Sequence, residues 1–267
     1  MSIISVRNLV VEYGERRVLD GLNLDVEAGE TMVLLGGSGA GKSTLLRNML
    51  GLERPQSGSV VIKGVDITRC SPAELKRVRR SIGVSFQSAA LFSSLTVEEN
   101  VALALREHTS LAPSIIELDV WLKLAAVGLA DCGKLYPQEL SGGMRKRASV
   151  ARALALDPEI LVFDEPSAGL DPIVAAELDD LILFSKRVFQ MTVVVVTHEL
   201  ASAFRIADRI AVLYQGSFLA VGSKDEIRAS QNPHIRQFLD RVPDNIATTR
   251  VVESFFAKYL YSPEVTQ

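Results

Sequence analysis

The 267-residue sequence predicts an α/β fold: a layered parallel sheet carrying an N-terminal antiparallel β lobe and an inserted helical lobe. Three observations carry that prediction. First, Gly36-Gly37-Ser38-Gly39-Ala40-Gly41-Lys42-Ser43 has the G-x-x-x-x-G-K-S form of a phosphate-binding loop, with the apolar run Thr31–Leu35 before it and leucines at helical spacing after it. That strand-loop-helix setting is what the motif requires. Second, short apolar runs at 31–35, 82–86, 159–163, 192–197 and 209–214 alternate with helical patterns, the order of a layered α/β sheet. Third, the strand signals stop between Gln87 and Ser141, where 97–106 and 114–127 place apolar residues at helical spacing.

Taken along the chain, residues 3–26 alternate apolar and polar positions around Tyr13-Gly14, predicting two antiparallel strands and a turn. The runs 159–163 and 192–197 lack alternation, as strands buried on both faces do. The helical lobe is expected over about 88–140, and a further helix from Met144 to Leu156. Ser223-Lys224-Asp225-Glu226 reads as a capping box. Asn232-Pro233 opens a helix whose Ile235, Phe238, Leu239 and Val242 share a face. A nucleotide-binding domain is therefore expected over 1–242. Residues 243–267 form a tail, where Val251, Val252, Phe255, Phe256, Tyr259 and Leu260 predict a short amphipathic helix docked on this chain, a second copy or a membrane surface.

The residue types at each strand end point to phosphate chemistry. Backbone N–H groups from Gly37 to Lys42 would form an anion nest at a helix N-terminus, and Lys42 would place a point charge on the outer phosphates. The Ser43 hydroxyl is placed to ligate Mg²⁺. Asp164, at the C-terminal end of a buried strand, would hold the same metal, and Glu165 would orient or deprotonate the attacking water. Ser141-Gly142-Gly143 is a second helix start stripped of side chains: a lysine-free anion cradle or a plain glycine-containing cap. Two copies facing head to tail would let each cradle complete the other's site. His198 follows a buried strand where it could reach a γ-phosphate, Gln87 sits where it could sense nucleotide and move the helical lobe, and Tyr13 either stacks on adenine or packs its turn. The cluster Arg145-Lys146-Arg147 reads as a solvated helix face without a ligand.

Composition removes other classes. A net charge of −3 and a pI near 5.7 leave no basic field for nucleic acid. Cys70 and Cys132 lack ligand-like spacing, and Met1 to Arg7 has no secretory pattern, so a reducing cytosolic setting is expected. No uncharged apolar run approaches the ~20 residues that span a bilayer, so any membrane role must pass through a partner.

Together these residues resemble the P-loop nucleotide-binding subunits of ABC transporters, over about residues 3–230. By the family pattern Tyr13 matches the adenine-stacking loop, Gly36–Thr44 the Walker A loop and Gln87 the Q-loop, a further Mg²⁺ ligand. Leu140–Met144 matches the signature, Ile160–Glu165 Walker B, Ala168-Gly169-Leu170-Asp171 the D-loop, and His198 the switch histidine. The resemblance implies ATP and Mg²⁺ as ligands, Asp171 at the nucleotide interface, a second copy of the chain and an integral membrane permease. Within the family, residues 86–92, 105–109 and 236–239, with Met144 in the signature, are similar to the ATPases of Mla-type phospholipid transporters. Leu170 departs from many of these, which carry Gln there. That similarity implies a STAS-domain subunit, a periplasmic MCE protein and a place on the cytoplasmic face of the bacterial inner membrane. Another ABC importer, or a soluble ABC ATPase such as one serving Fe–S cluster assembly, would share the catalytic motifs.

Overall fold

The computed structural model describes residues 1–242; the expectations for the tail lie outside the described residues. The chain divides into two compact units, Met1–Ala229 and a second beginning at Ser230. The first opens with β1 (Ser2–Tyr13) and β2 (Arg16–Glu27), antiparallel and joined at Tyr13↔Arg16 across Gly14-Glu15. Their alternation buries Ile4, Val6, Leu9 and Val11 from one strand and Leu22, Leu24 and Val26 from the other.

Next come β3 (Thr31–Leu35), α1 (Lys42–Met49), β4 (Ser57–Ile62), β5 (Val65–Asp66), α2 (Pro72–Arg80) and β6 (Ile82–Ser85). The helical lobe supplies α3 (Val97–His108) and α4 (Pro113–Ala126). The chain then returns through α5 (Gly142–Leu154), β7 (Ile160–Asp164), α6 (Pro172–Phe189), β8 (Thr192–Thr197), α7 (Leu200–Ile206), β9 (Arg209–Tyr214), β10 (Ser217–Ser223) and α8 (Lys224–Ala229). Thr96 starts α3 with a reciprocal capping box to Glu99, and the Ser223–Glu226 box forms as expected. In the second unit α9 (Pro233–Leu239) is capped by the Asn232 side chain, which accepts from the His234 and Ile235 amides. Val242 lies beyond the end of that helix.

Two sheets result. One is four-stranded and antiparallel in the order β2-β1-β4-β5; the other is six-stranded in the order β10-β9-β3-β8-β7-β6, parallel except for β10. Every residue of β3 and β8 is buried, and each fully buried valine in 193–196 contributes about 1.5–3 kcal/mol. Strands β4, β5 and β10 are additions to the sequence reading. β4 is interrupted by serine and glycine, and β10 is an exposed edge strand, so neither presents a clear apolar period. A shared apolar core runs from Leu9 and Leu22 of the β lobe through Leu45 and Leu46 of α1 to Val194 and Val196 of β8. No helix among the described residues is long and apolar enough to cross a membrane.

Candidate functional site

Register fixes the site. Leu35 pairs with Thr197 across β3 and β8, and Asp164 pairs with Val196 across β7 and β8. The residues that follow these strands, Gly36, His198 and Glu165, therefore emerge together at the C-terminal ends of neighbouring parallel strands, where α/β ligands collect. Gln87 follows β6 beyond β7, and its side chain is exposed.

The loop Gly36–Thr44 leads directly into α1, whose N-cap, Gly41, has φ +107°. A Cβ there would lie 2.7 Å from Leu19 Cδ2 and 3.2 Å from the Val18 carbonyl, so only glycine lets the loop seat against β2. Around Gly37 a Cβ would meet nothing within 4 Å, which leaves the backbone amides open to an anion. Gly39, Ala40, Ser38 and Thr44 complete the turn, with the Ala40 amide donating to the Gly37 carbonyl at 3.3 Å. Lys42 is buried; its ammonium donates to the Gly36 carbonyl at 2.8 Å and the Gly37 carbonyl at 3.1 Å.

Glu165 joins these groups. Its Oε1 stands 3.6 Å from Lys42 Nζ, and its Oε2 is 2.8 Å from His198 Nδ1 and accepts from the His198 amide at 3.3 Å. The carboxylate hangs from a left-handed backbone, φ +47°, fixed by the Glu165 amide donating to the Val196 carbonyl at 2.8 Å. Such a conformation in a non-glycine residue costs about 1 kcal/mol or more and clusters at functional sites. Burial, with Glu165 alongside, pushes the Asp164 carboxyl above its ordinary range, while Lys42, Arg47 and Lys146 pull the other way.

A divalent cation fits this corner. Asp164 Oδ1 is buried without a hydrogen-bond partner, and Ser43, in the first turn of α1, is exposed. No group of three or more His, Cys, Asp or Glu side chains able to hold a metal occurs among the described residues. The donor set thus suits a hard cation that takes the rest of its shell from phosphates and water, as Mg²⁺ does.

Tyr13 ends β1 with its ring half exposed. Its hydroxyl pairs with the Glu53 carboxylate and accepts from Arg47 at 3.3 Å, which ties the aromatic face to α1 directly behind the phosphate loop. The other cradle lies apart: Ser141, Gly142, Gly143, Gly169, Leu170 and Asp171 line one open groove of about 430 Å³ that includes no residue of the 36–44 loop. Ser141 caps α5 by accepting from the Met144 amide at 3.2 Å. A Cβ on Gly143 would come within 2.7 Å of Val174, so the helix start can approach α6 only without a side chain. Asp171 caps α6, its Oδ1 accepting from the Ile173 and Val174 amides at 3.0 and 3.1 Å.

The basic cluster departs from expectation at its centre. Arg145 is exposed, but Lys146 is buried and donates to the Gln87 carbonyl at 2.5 Å and the Glu165 carbonyl at 3.3 Å. Helix spacing held the signal: Lys146 stands three, four and seven residues before Ser149, Val150 and Ala153, all buried on α5. Arg152, on the same helix, donates to the carbonyls of Ala89 and Ala90, both left-handed at φ +62° and +49°. Neither contact can be read from a motif, because the acceptors are backbone atoms of distant loops.

The ABC transporter family model matches residues 19–168. The intermembrane phospholipid transport system ATP-binding protein MlaF of Haemophilus influenzae is 38% identical over 260 residues, covering 97% of this chain and 98% of that protein. The probable ribonucleotide transport ATP-binding protein mkl of Mycobacterium leprae is 43% identical over 237 residues, 89% of this chain and 68% of that longer protein. Among solved structures, the dimeric ATP-binding cassette MJ0796 bound to ADP and Pi superposes with a TM-score of 0.76 at 30% identity, covering 82% of this chain and 98% of that one. With the phosphate loop, the carboxylate pair and the histidine at the ends of one sheet and a separate glycine cradle at the start of α5, and with these matches, the chain belongs to the ABC transporter family, as one of its ATP-binding subunits.

Proposed function

We propose that this ATPase drives phospholipid movement between membranes, working as two copies on the cytoplasmic face of an inner-membrane permease. The observation that carries the hydrolytic reading is Glu165, held between Lys42 and His198 at the mouth of the phosphate loop. In this reading Gly36–Thr44 cradle the phosphates, Lys42 neutralises the outer ones, and Tyr13 stacks on adenine. Ser43 and Asp164 hold Mg²⁺, with Gln87 joining from β6; the metal when bound would draw charge from the β- and γ-oxygens. Glu165 takes the proton of the attacking water or orients it, and His198 donates toward the γ-phosphate. Ser141, Gly142, Gly143 and Asp171 contribute to the nucleotide held by the second copy, because their groove contains no lysine and lies apart from the 36–44 loop.

The lipid cargo rests on similarity to MlaF over nearly the whole chain, and with it come a STAS-domain subunit and a periplasmic MCE protein as partners. The name of the mycobacterial relative favours a second reading, nucleotide transport. In complex with the membrane protein that co-purifies with it, Glu165→Gln should still bind MgATP while turning over at least ~10²-fold slower, the lower range of general-base effects. Near-normal turnover removes Glu165 from the mechanism. Deleting the gene should disturb outer-membrane lipid asymmetry and sensitise cells to detergent. An intact envelope with lost uptake of ribonucleotides would replace the lipid reading with the second one.

A further inference from the structure

We propose that Lys146 is a positioning residue for hydrolysis, its ammonium tying the backbone of Glu165 to that of Gln87 and to helix α5. The proposal rests on Glu165 acting on the attacking water. Lys146 is 7% exposed, a place where an ammonium is costly unless it is matched by acceptors. Its acceptors are two backbone carbonyls from different strand ends, Gln87 at 2.5 Å and Glu165 at 3.3 Å. Burial lowers the Lys146 pKa, and the attraction of the Asp164 and Glu165 carboxylates opposes that. A compact ammonium with three rotatable donors can join two such carbonyls, which a planar amide does less well.

The consequence lies in how Glu165 is fixed. Its amide is bound to β8 through Val196 and its carbonyl to α5 through Lys146, so both flanks of a left-handed residue are held by different elements. The carboxylate orientation toward Lys42 and His198 inherits that backbone. Helix α5 begins at Gly142, and Gly143 stands three residues from Lys146, about 4.5 Å along the axis. A shift of the helix start, as when an anion seats in the Ser141–Gly143 groove, therefore moves the Glu165 and Gln87 carbonyls through one rigid turn and one side chain. The second copy's nucleotide would in this way adjust the carboxylate that acts on this copy's own.

The test is steady-state ATPase kinetics of the full chain in its membrane complex. Lys146→Met should lower kcat about 10- to 100-fold, the scale of an ångström-level misplacement, with KM for ATP changed less than about twofold. Lys146→Arg should recover most of the loss. In a Glu165→Gln background Lys146→Met should cost little more, because its effect passes through the lost carboxylate. An unchanged kcat, a rise in KM alone, or a fully additive double variant overturns the proposal. If the methionine variant does not fold, Lys146→Gln carries the same kinetic comparison, and wild-type kcat in that variant is likewise fatal to it. Near-normal turnover by Glu165→Gln alone would instead sink the reading of Glu165, whatever Lys146 does.

Discussion

At the scale of single residues, the half-buried Asp164 and the buried Asp179 illustrate opposite uses of the same cost. Asp164 keeps an unpartnered oxygen where a cation fits. Asp179, inside α6, has its Oδ1 without a partner, and burial pushes its carboxyl up to about 6, with Ser202 and Arg205 pulling the other way. Because the folded value lies above the unfolded one, 3.8, Asp179 is harmless below about pH 4, and its cost to stability builds between about pH 4 and 6 and is complete above that. Asp179→Asn should therefore stabilise the protein by about 1–2 kcal/mol at pH 8, the gain shrinking to nothing near pH 4. Thermal unfolding across that range checks it, and a difference independent of pH would rule out the carboxylate as the cause. The phosphate loop was legible because its spacing alone marks it. Lys146 was not, since a charged triplet on a helix reads as solvated until the buried face of that helix is known.

Among the elements, α4 buries Ile116, Val120 and Leu124 and adds one charged tie, Lys123. Lys123 pairs with Asp157 after α5, stands 3.6 Å from Asp119 on its own helix, and lies over the Phe189 ring at 5.1 Å. Burial raises the Asp119 carboxyl despite that lysine. Replacing Lys123 with Met keeps the apolar stem and removes the charge. Since Asp157 stays exposed to water, the expected loss is about 1–2 kcal/mol rather than the larger cost of stranding a buried ion. Hydrogen exchange should accelerate in α3 and α4 while β8 keeps its protection; equal acceleration in β8 would show that Lys123 supports the whole unit instead. The helices here were legible from their period, and the long buried strands from their uniform valines and leucines. Strand β4 and the edge strand β10 were not, because half-exposed strands with serine and glycine carry no strong pattern.

At the scale of the molecule, the separation of the Ser141–Gly143 groove from the phosphate loop predicts a nucleotide-dependent dimer. In a background with Cys70 and Cys132 replaced by serine, cysteines at Ser38 and Ser141 should cross-link between chains when ATP is added to a hydrolysis-deficient variant. A cross-link of equal yield without nucleotide, or one confined to a single chain, contradicts two-fold closure. The sequence pattern alone suggested this arrangement, since a glycine cradle without a lysine asks for a partner. Which groups inside one copy connect the two half-sites became visible only once α5 was seen to lie against both loops.

The inserted lobe follows β6, the outermost strand of its sheet, whose only ladder partner among the described residues is β7. A lobe mounted on a central strand could swing only by tearing hydrogen bonds on two sides, whereas one mounted at the margin risks four residues of pairing on one side. Strands β3, β8 and β7, which carry Lys42, His198 and Glu165, can stay rigid through such a swing. Gln87, three strand spacings or about 14 Å across the sheet from β3, would travel with the lobe. Were the lobe to swing, the joint would fall at the margin of the sheet, where mechanical work does least damage to the core.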